Sequence, residues 1–385
     1  MRIRLLLISA VSMLMSCVYA QEQVEKRSEW KGYIKNLQGL DIYGAFDSAA
    51  WTGLIHNRIN FKARMNDRLT FRLDLRNRVF FGSGMSKTPD FSKRIDKYPG
   101  LLDLSVVWID QPSLVVHSVF DRMLIAYGVP KWDVTIGRQR INWGMNNVWN
   151  PNDIFNAYNF LDFDYEERPG NDAIRIQHYP KENATLELAW KPGRNRDSHI
   201  ASFLYRFNRK KYDWQLLAGI FNTDLVAGAG WAGSIGEKGF KGEVSYFHPF
   251  RNISDSSGTI SASVMMDQTF KDGWYLSASI LYNGNPSGFM GSRGIYMSDI
   301  SAKSLFPFRY AFHTGVVKNV ADVWNLSAAF VYSPDHSSLI FFPTFSYNAS
   351  ERFDADLTVQ SFFADNQGAY RMQGAAVYLR GKWTF

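Results

Sequence analysis

The chain has 385 residues, 46% hydrophobic and 16% aromatic, and its 43 Lys and Arg outweigh 36 Asp and Glu for a formal charge of +7. That excess is too small to point to nucleic acid, and the single cysteine, Cys17, excludes an internal disulfide or a thiolate metal cluster. No apolar run of about 18 residues follows the N-terminal one, which excludes membrane-spanning helices.

The first twenty residues, MRIRLLLISAVSMLMSCVYA, place Arg2 and Arg4 ahead of an uncharged apolar run that closes at Val18, Tyr19 and Ala20. This is the layout of a secretory signal peptide over 1–20, cut after Ala20. Cys17 in LMSC loosely resembles a lipoprotein acylation site, but the small-residue cleavage site just beyond it explains the same segment. Without Arg2 and Arg4, 41 basic against 36 acidic residues leave a charge of +5. Residues 21–31 are polar and read as a periplasmic lead-in, with one barrel domain expected over 32–385. Gly32 to Ala50 alternates weakly and holds the first strand.

From Leu54 to Gly82 the alternation is regular. Ile55, Ile59, Phe61, Ala63 and Met65 share one face, and Arg58, Asn60, Lys62 and Arg64 share the other. Beyond a turn at Asn66-Asp67, Leu69, Phe71, Leu73, Leu75 and Val79 oppose Thr70, Arg72, Asp74, Arg76 and Arg78. A period of two belongs to a pleated strand. A soluble sandwich hairpin also alternates, yet here the polar face is long and rich in guanidinium groups that need water or anions opposite them. Apolar outward and charged inward is the pattern of a membrane barrel around a wet lumen. Asn57 and Asn77 break the apolar face.

Residues 82–100 form a polar loop, Leu101 to Gln111 is a strand or lies on the rim, and Val115 to Tyr127 pairs with Lys131 to Ile141 through a turn at 128–130. The segment 142–171 has no strand pattern. From Asp172 onward, strand-like runs separated by turn residues continue to Phe385. Short turns fall near Asn66, Val129, Lys181, Lys210, Glu237, Asp272, Ala321 and Ser350, alternating with other connections as short periplasmic turns do in outer-membrane barrels. With both termini in the periplasm they predict eighteen strands; sixteen is the alternative, because the connections near Asn222 and Pro334 are short for external loops. The last strand, AAVYLRGKWTF, alternates and ends on an aromatic residue, which resembles the signal that hands Gram-negative outer-membrane barrels to their insertion machinery. The expected fold is all-β: a closed antiparallel transmembrane barrel whose long loop 142–171 folds into or over the lumen. The expected address is the outer membrane, whose lipid bilayer the barrel contacts.

Two groups of residues carry the candidate chemistry. Inward Arg58, Lys62, Arg64, Arg72, Arg76 and Arg78, with Asp74, are joined by Arg380 and Lys382 of the last strand, because the first and last strands of a barrel pair. A cationic lining focuses the field and concentrates small anions; alternatively these cations pair with neighbouring carboxylates, of which Asp354 and Asp356 are inward candidates. The second group is the loop, in which Trp143, Trp149, Phe155, Tyr158, Phe160 and Phe163 accompany Asp153, Asp162, Asp164, Glu166 and Glu167. So much apolar surface is not left in solvent, so the loop is expected to form a constriction. Its carboxylates face the arginines across the pore or, less simply, hold Ca²⁺, although the Asp-x-Asp-x-Asp-Gly order of a calcium loop is missing.

The blocks GRQRINWG, WNPNDIFN and DFDYEERPG resemble outer-membrane porin-like proteins common in Bacteroidota, similar in architecture to alginate-export and phosphate-selective porins. The resemblance implies a barrel conduit without catalytic residues. Seven scattered histidines and the lack of HExxH or GxSxG leave no enzymatic motif, and no cofactor, metal or nucleic-acid partner is expected. The function read from the sequence is passive diffusion of small hydrophilic solutes, anionic or saccharide. The alternatives are a loop-plugged structural, assembly or export barrel and, further off, an outer-membrane enzyme. Oligomeric state is not legible.

Overall fold

The alternating segments become strands in the computed structural model, which describes residues 27–96, 100–157, 159–161, 167–195, 197–251, 253, 256–287, 300–366 and 368–385. The first hairpins are β1 (Ser28–Tyr43), β2 (Ser48–Arg64) and β3 (Leu69–Phe81), followed by short helices α1 (Ser83–Ser86) and α2 (Phe91–Ile95) and by β4 (Ser105–Gln111). Then come β5 (Leu114–Val129), β6 (Trp132–Gln139), β7 (Asn171–Lys181), β8 (Ala184–Lys191), β9 (Ile200–Arg209), β10 (Tyr212–Phe221), β11 (Asp224–Ile235) and β12 (Lys238–Pro249). The chain ends with β13 (Thr259–Thr269), β14 (Trp274–Asn283), β15 (Tyr310–Ala321), β16 (Trp324–Ser333), β17 (Ser338–Ser350), β18 (Phe353–Asn366) and β19 (Ala369–Thr384). Each ring strand pairs antiparallel with the next, β3 pairs directly with β5, and β1 pairs with β19, closing an 18-strand barrel. Closure joins the two end strands of the ring, so their backbone groups pair with each other without water.

The sixteen-strand alternative fails because its two suspect connections are real reversals. Asn222 turns β10 into β11 with a φ of 58°, and a single turn at Pro334–His336, ended by Ser337 with a φ of 45°, joins β16 to β17. β1 starts at Ser28, earlier than Gly32, because Ser28 to Lys31 pairs with Asn60 to Ala63 of the long β2. β5 runs on through Val129 against Trp132, so the reversal falls at 130–131, one step later than expected. Of Leu101–Gln111 only Ser105–Gln111 is strand, and it stands outside the ring, bonded to the half of β5 that β6 does not reach.

The outward face is apolar: Ile55, Leu216, Leu276 and Ile280 are all exposed. The two asparagines that interrupt it satisfy one another, since Asn57 and Asn77 are register partners, Asn77 Nδ2 donates to Asn57 Oδ1 (3.2 Å), and Ser118 Oγ donates to Asn77 Oδ1 (2.7 Å). The core lies inside the ring. Ile141, Trp143 and Phe155 pack against wall residues Leu204, Leu217 and Phe247, and Val148, Trp149 and Leu161 pack with Phe306, Phe308 and Met265. A smaller cluster of Leu54, Phe80, Met85 and Val115 seats Phe91 and Ile95 of α2. The described residues of the connections 140–170 and 300–309 therefore fold inward and pack inside the ring.

Candidate functional site

Inside the β2–β5 wall a register irregularity decides the electrostatics. Asp74 faces Arg122 and Leu75 faces Phe120, so Asp121 is the extra residue of a β-bulge, and the bulge turns Asp121 inward beside Arg122. Arg58 and Arg76 are direct cross-strand partners, a like-charge pair that would repel. Asp121 bridges them, with Oδ2 accepting from Arg58 Nη1 at 2.5 Å and Oδ1 lying 2.9 Å from Arg76 Nη2. Arg58 also reaches Asp74 (3.1 Å) and the loop's Glu167 (3.4 Å), and Arg72 grips Asp74 at 2.7 Å. Arg58, Asp74 and Asp121 are almost wholly shielded from solvent, so their charges depend on one another.

The cationic stripe expected on this wall is thus mostly paired. Arg380 bonds Asp356 at 2.5 Å and Lys382 lies 3.3 Å from Asp354. Lys62 and Arg64 are exposed near the short-turn rim. Arg78 donates to the Ile95 carbonyl (3.1 Å) and meets His117 Nδ1 (3.0 Å), while His117 Nε2 lies 2.9 Å from Asp96, so the segment carrying α2 is tied over the lumen.

The inward loop is held by strands around the ring. Glu243 on β12 accepts backbone N–H bonds from Met145 (2.5 Å), Asn146 (2.6 Å) and Asn152 (2.9 Å). Glu187 on β8 accepts from Trp143 Nε1 (2.6 Å) and from Arg175 Nε (2.7 Å). Gln215 donates to the Trp143 carbonyl, Ser263 to the Trp149 carbonyl, and Gln360 to the Leu161 carbonyl, at 2.8 to 2.9 Å. Within the loop Asp153 accepts from Trp143 N–H (3.3 Å) and pairs with Arg168 (3.1 Å). The wall is shaped to receive it: a Cβ on Gly228 would stand 2.7 Å from Asn152 Oδ1, and one on Gly230 3.0 Å from Asn152 Nδ2. Trp143, Trp149 and Asp153 are fully packed, and Glu167 faces the arginines; Asp162, Asp164 and Glu166 lie outside the described residues. Among the described residues no group of three acidic or histidine side chains is placed to hold a metal ion.

Cavities lie beside the loop among the described residues. One, of about 410 Å³, runs along the β1–β5 wall past Tyr33, His56, Arg76, Arg78, His117 and Glu167. Its described lining carries four guanidinium groups, Arg76, Arg78, Arg94 and Arg138, against the carboxylates of Asp96, Asp121 and Glu167. Another, of about 540 Å³, lies against β8–β10 and shares Pro169 and Gly170 with the first.

Asp121, Arg138, Glu187 and Glu243 escaped the sequence reading as site residues. Asp121-Arg122 interrupts an apolar run, a visible signal, but which residue faces inward depends on a bulge that alternation does not show.

A closed 18-strand antiparallel barrel with an inward loop is the architecture of outer-membrane porins. Superposition bears this out: Acinetobacter baumannii OccAB4 aligns with a TM-score of 0.60 and 9% identity over 94% of this chain and 99% of that one. Pseudomonas aeruginosa OccK8 (OprE) aligns with 0.60 and 10% over 94% and 98%, and P. aeruginosa OpdQ with 0.59 and 7% over 94% and 99%. No protein-family model matches the sequence, and neither does any curated protein. The likeness is one of fold.

Proposed function

We propose that this chain is an outer-membrane channel for passive diffusion of small hydrophilic solutes, with organic anions favoured over cations and saccharides admitted along the aromatic lining. The observation that carries the reading is the 410 Å³ cavity beside the loop, whose described lining presents Arg76, Arg78 and Arg94, with Arg138 held by Asp172 behind them. Low-dielectric walls strengthen the field of such a lining. The porin architecture of the solved neighbours supports the same reading.

The test is single-channel recording of the purified protein in planar bilayers. Stepwise, ohmic current increments are expected. A second reading draws on the complete burial of Trp143 and Asp153: a barrel plugged by its own loop, serving as a structural or surface-assembly element. That reading predicts inserted protein with no steps.

A further inference from the structure

The cavity against β8–β10 contains a lysine that no described wall residue bonds. Lys191, the last residue of β8, is 9% exposed and lines this cavity, and among the described residues its ammonium has no hydrogen-bond or ion-pair partner. The carboxylate that acts on it electrostatically, Asp172, is already engaged, by Arg138 Nε at 2.8 Å and by the Leu102 N–H at 2.8 Å. Asp197, the other charged residue of the described lining, is held by Arg251. A mostly buried lysine whose nearest carboxylate is already engaged leaves its ammonium available to an anion from the cavity.

The rest of the lining fixes what that partner looks like. Ile154, Phe155, Ile200, Phe221 and Ile300 give an apolar surface. Phe155 is braced edge-on by Trp143 (4.9 Å) and Phe221 by Phe247 (5.3 Å), so both rings stand preset. The amides of Asn156 and Asn171 are turned to the backbone, Asn156 donating to the Pro169 carbonyl (2.7 Å) and Asn171 to the Phe155 carbonyl (3.0 Å).

We propose that this cavity is a binding site for a singly charged organic anion with a compact apolar body, its anionic group on Lys191 and its body against Phe155 and Phe221. The site lies at the rim that carries the longer connections and is separated by Pro169 and Gly170 from the arginine-lined cavity, so it would hold a solute before or after the narrow passage. The inference rests on the reading of the chain as a channel for anions, but its test does not depend on ion flow.

Isothermal titration calorimetry of the full chain in detergent micelles, with cyclohexanecarboxylate as probe and cyclohexanecarboxamide as its neutral counterpart, reads the site directly. Saturable carboxylate binding is expected in the wild type, weakened about tenfold or more both for the amide and in Lys191→Met. Lys191→Gln serves as a second variant if Lys191→Met does not migrate as a folded, heat-modifiable barrel. Equal affinity in wild type and variant overturns the proposal, as does the absence of saturable heat from the wild type. A protein that binds the probe but passes no current retains the site and loses the channel reading; one that conducts but binds nothing does the reverse.

Discussion

Asp121 is the residue on which the charged wall turns. It is buried between Arg58 and Arg76, which sit directly opposite one another, and its two oxygens separate their guanidinium groups. Removing one member of a buried ion pair leaves an uncompensated charge and costs about 3–5 kcal/mol. Arg72 is half-exposed, and an exposed pair is worth roughly 0–1 kcal/mol. Asp121→Ala is therefore expected to lower the urea midpoint of barrel unfolding in micelles substantially, and Arg72→Ala hardly at all; equal effects would show that the network is not organised around the bulge. The same residue marks where sequence reading stops. Which side chains alternate follows from a period of two, and the facing of Arg58, Arg72, Asp74 and Arg76 was legible from that alone. Whether those arginines meet solutes or carboxylates depends on cross-strand register and on one inserted residue, and neither leaves a trace in local periodicity.

At the scale of the element, the loop 140–170 carries the interior. Its aromatic content announced that it would be buried, since Trp143, Trp149 and Phe155 have no stable place in water. Its anchors were not legible: Glu243 lies 91 to 98 residues beyond the N–H groups it holds, and in KGEVSY it looks like any inward acid. Three backbone donors on one carboxylate fix the loop's entry into the lumen, and each buried donor left without an acceptor costs about 1–3 kcal/mol. Glu243→Ala should release the loop and Gly228→Val should push it away through Asn152. Both are expected to raise the rate of proteolytic nicking within 140–170 while the barrel still resists boiling-dependent unfolding on gels; a loop as resistant as the wild type's would place its anchorage elsewhere. Strand number, by contrast, was open to view, because turn residues recur where the wall must reverse and tight reversals at Asn222 and Pro334 are compatible with closure.

For the whole molecule, pairing of β1 with β19 closes the ring, with an apolar exterior and an interior shared by packed loops and the cavities beside them. The charge pairing seen across β2, β3, β18 and β19 neutralises much of the stripe that the sequence displays, so the proposed anion preference depends on the described lining of the β1–β5 cavity, where Arg76, Arg78 and Arg94 stand with Asp96, Asp121 and Glu167 and Arg138 is held by Asp172. The measurement that tests this most directly is the reversal potential of the inserted protein in a KCl gradient at low ionic strength, where screening is weakest. The account predicts a potential of the sign set by chloride, shrinking toward zero as salt is raised; a potential of the sign set by potassium, or a bilayer that never conducts, would contradict it.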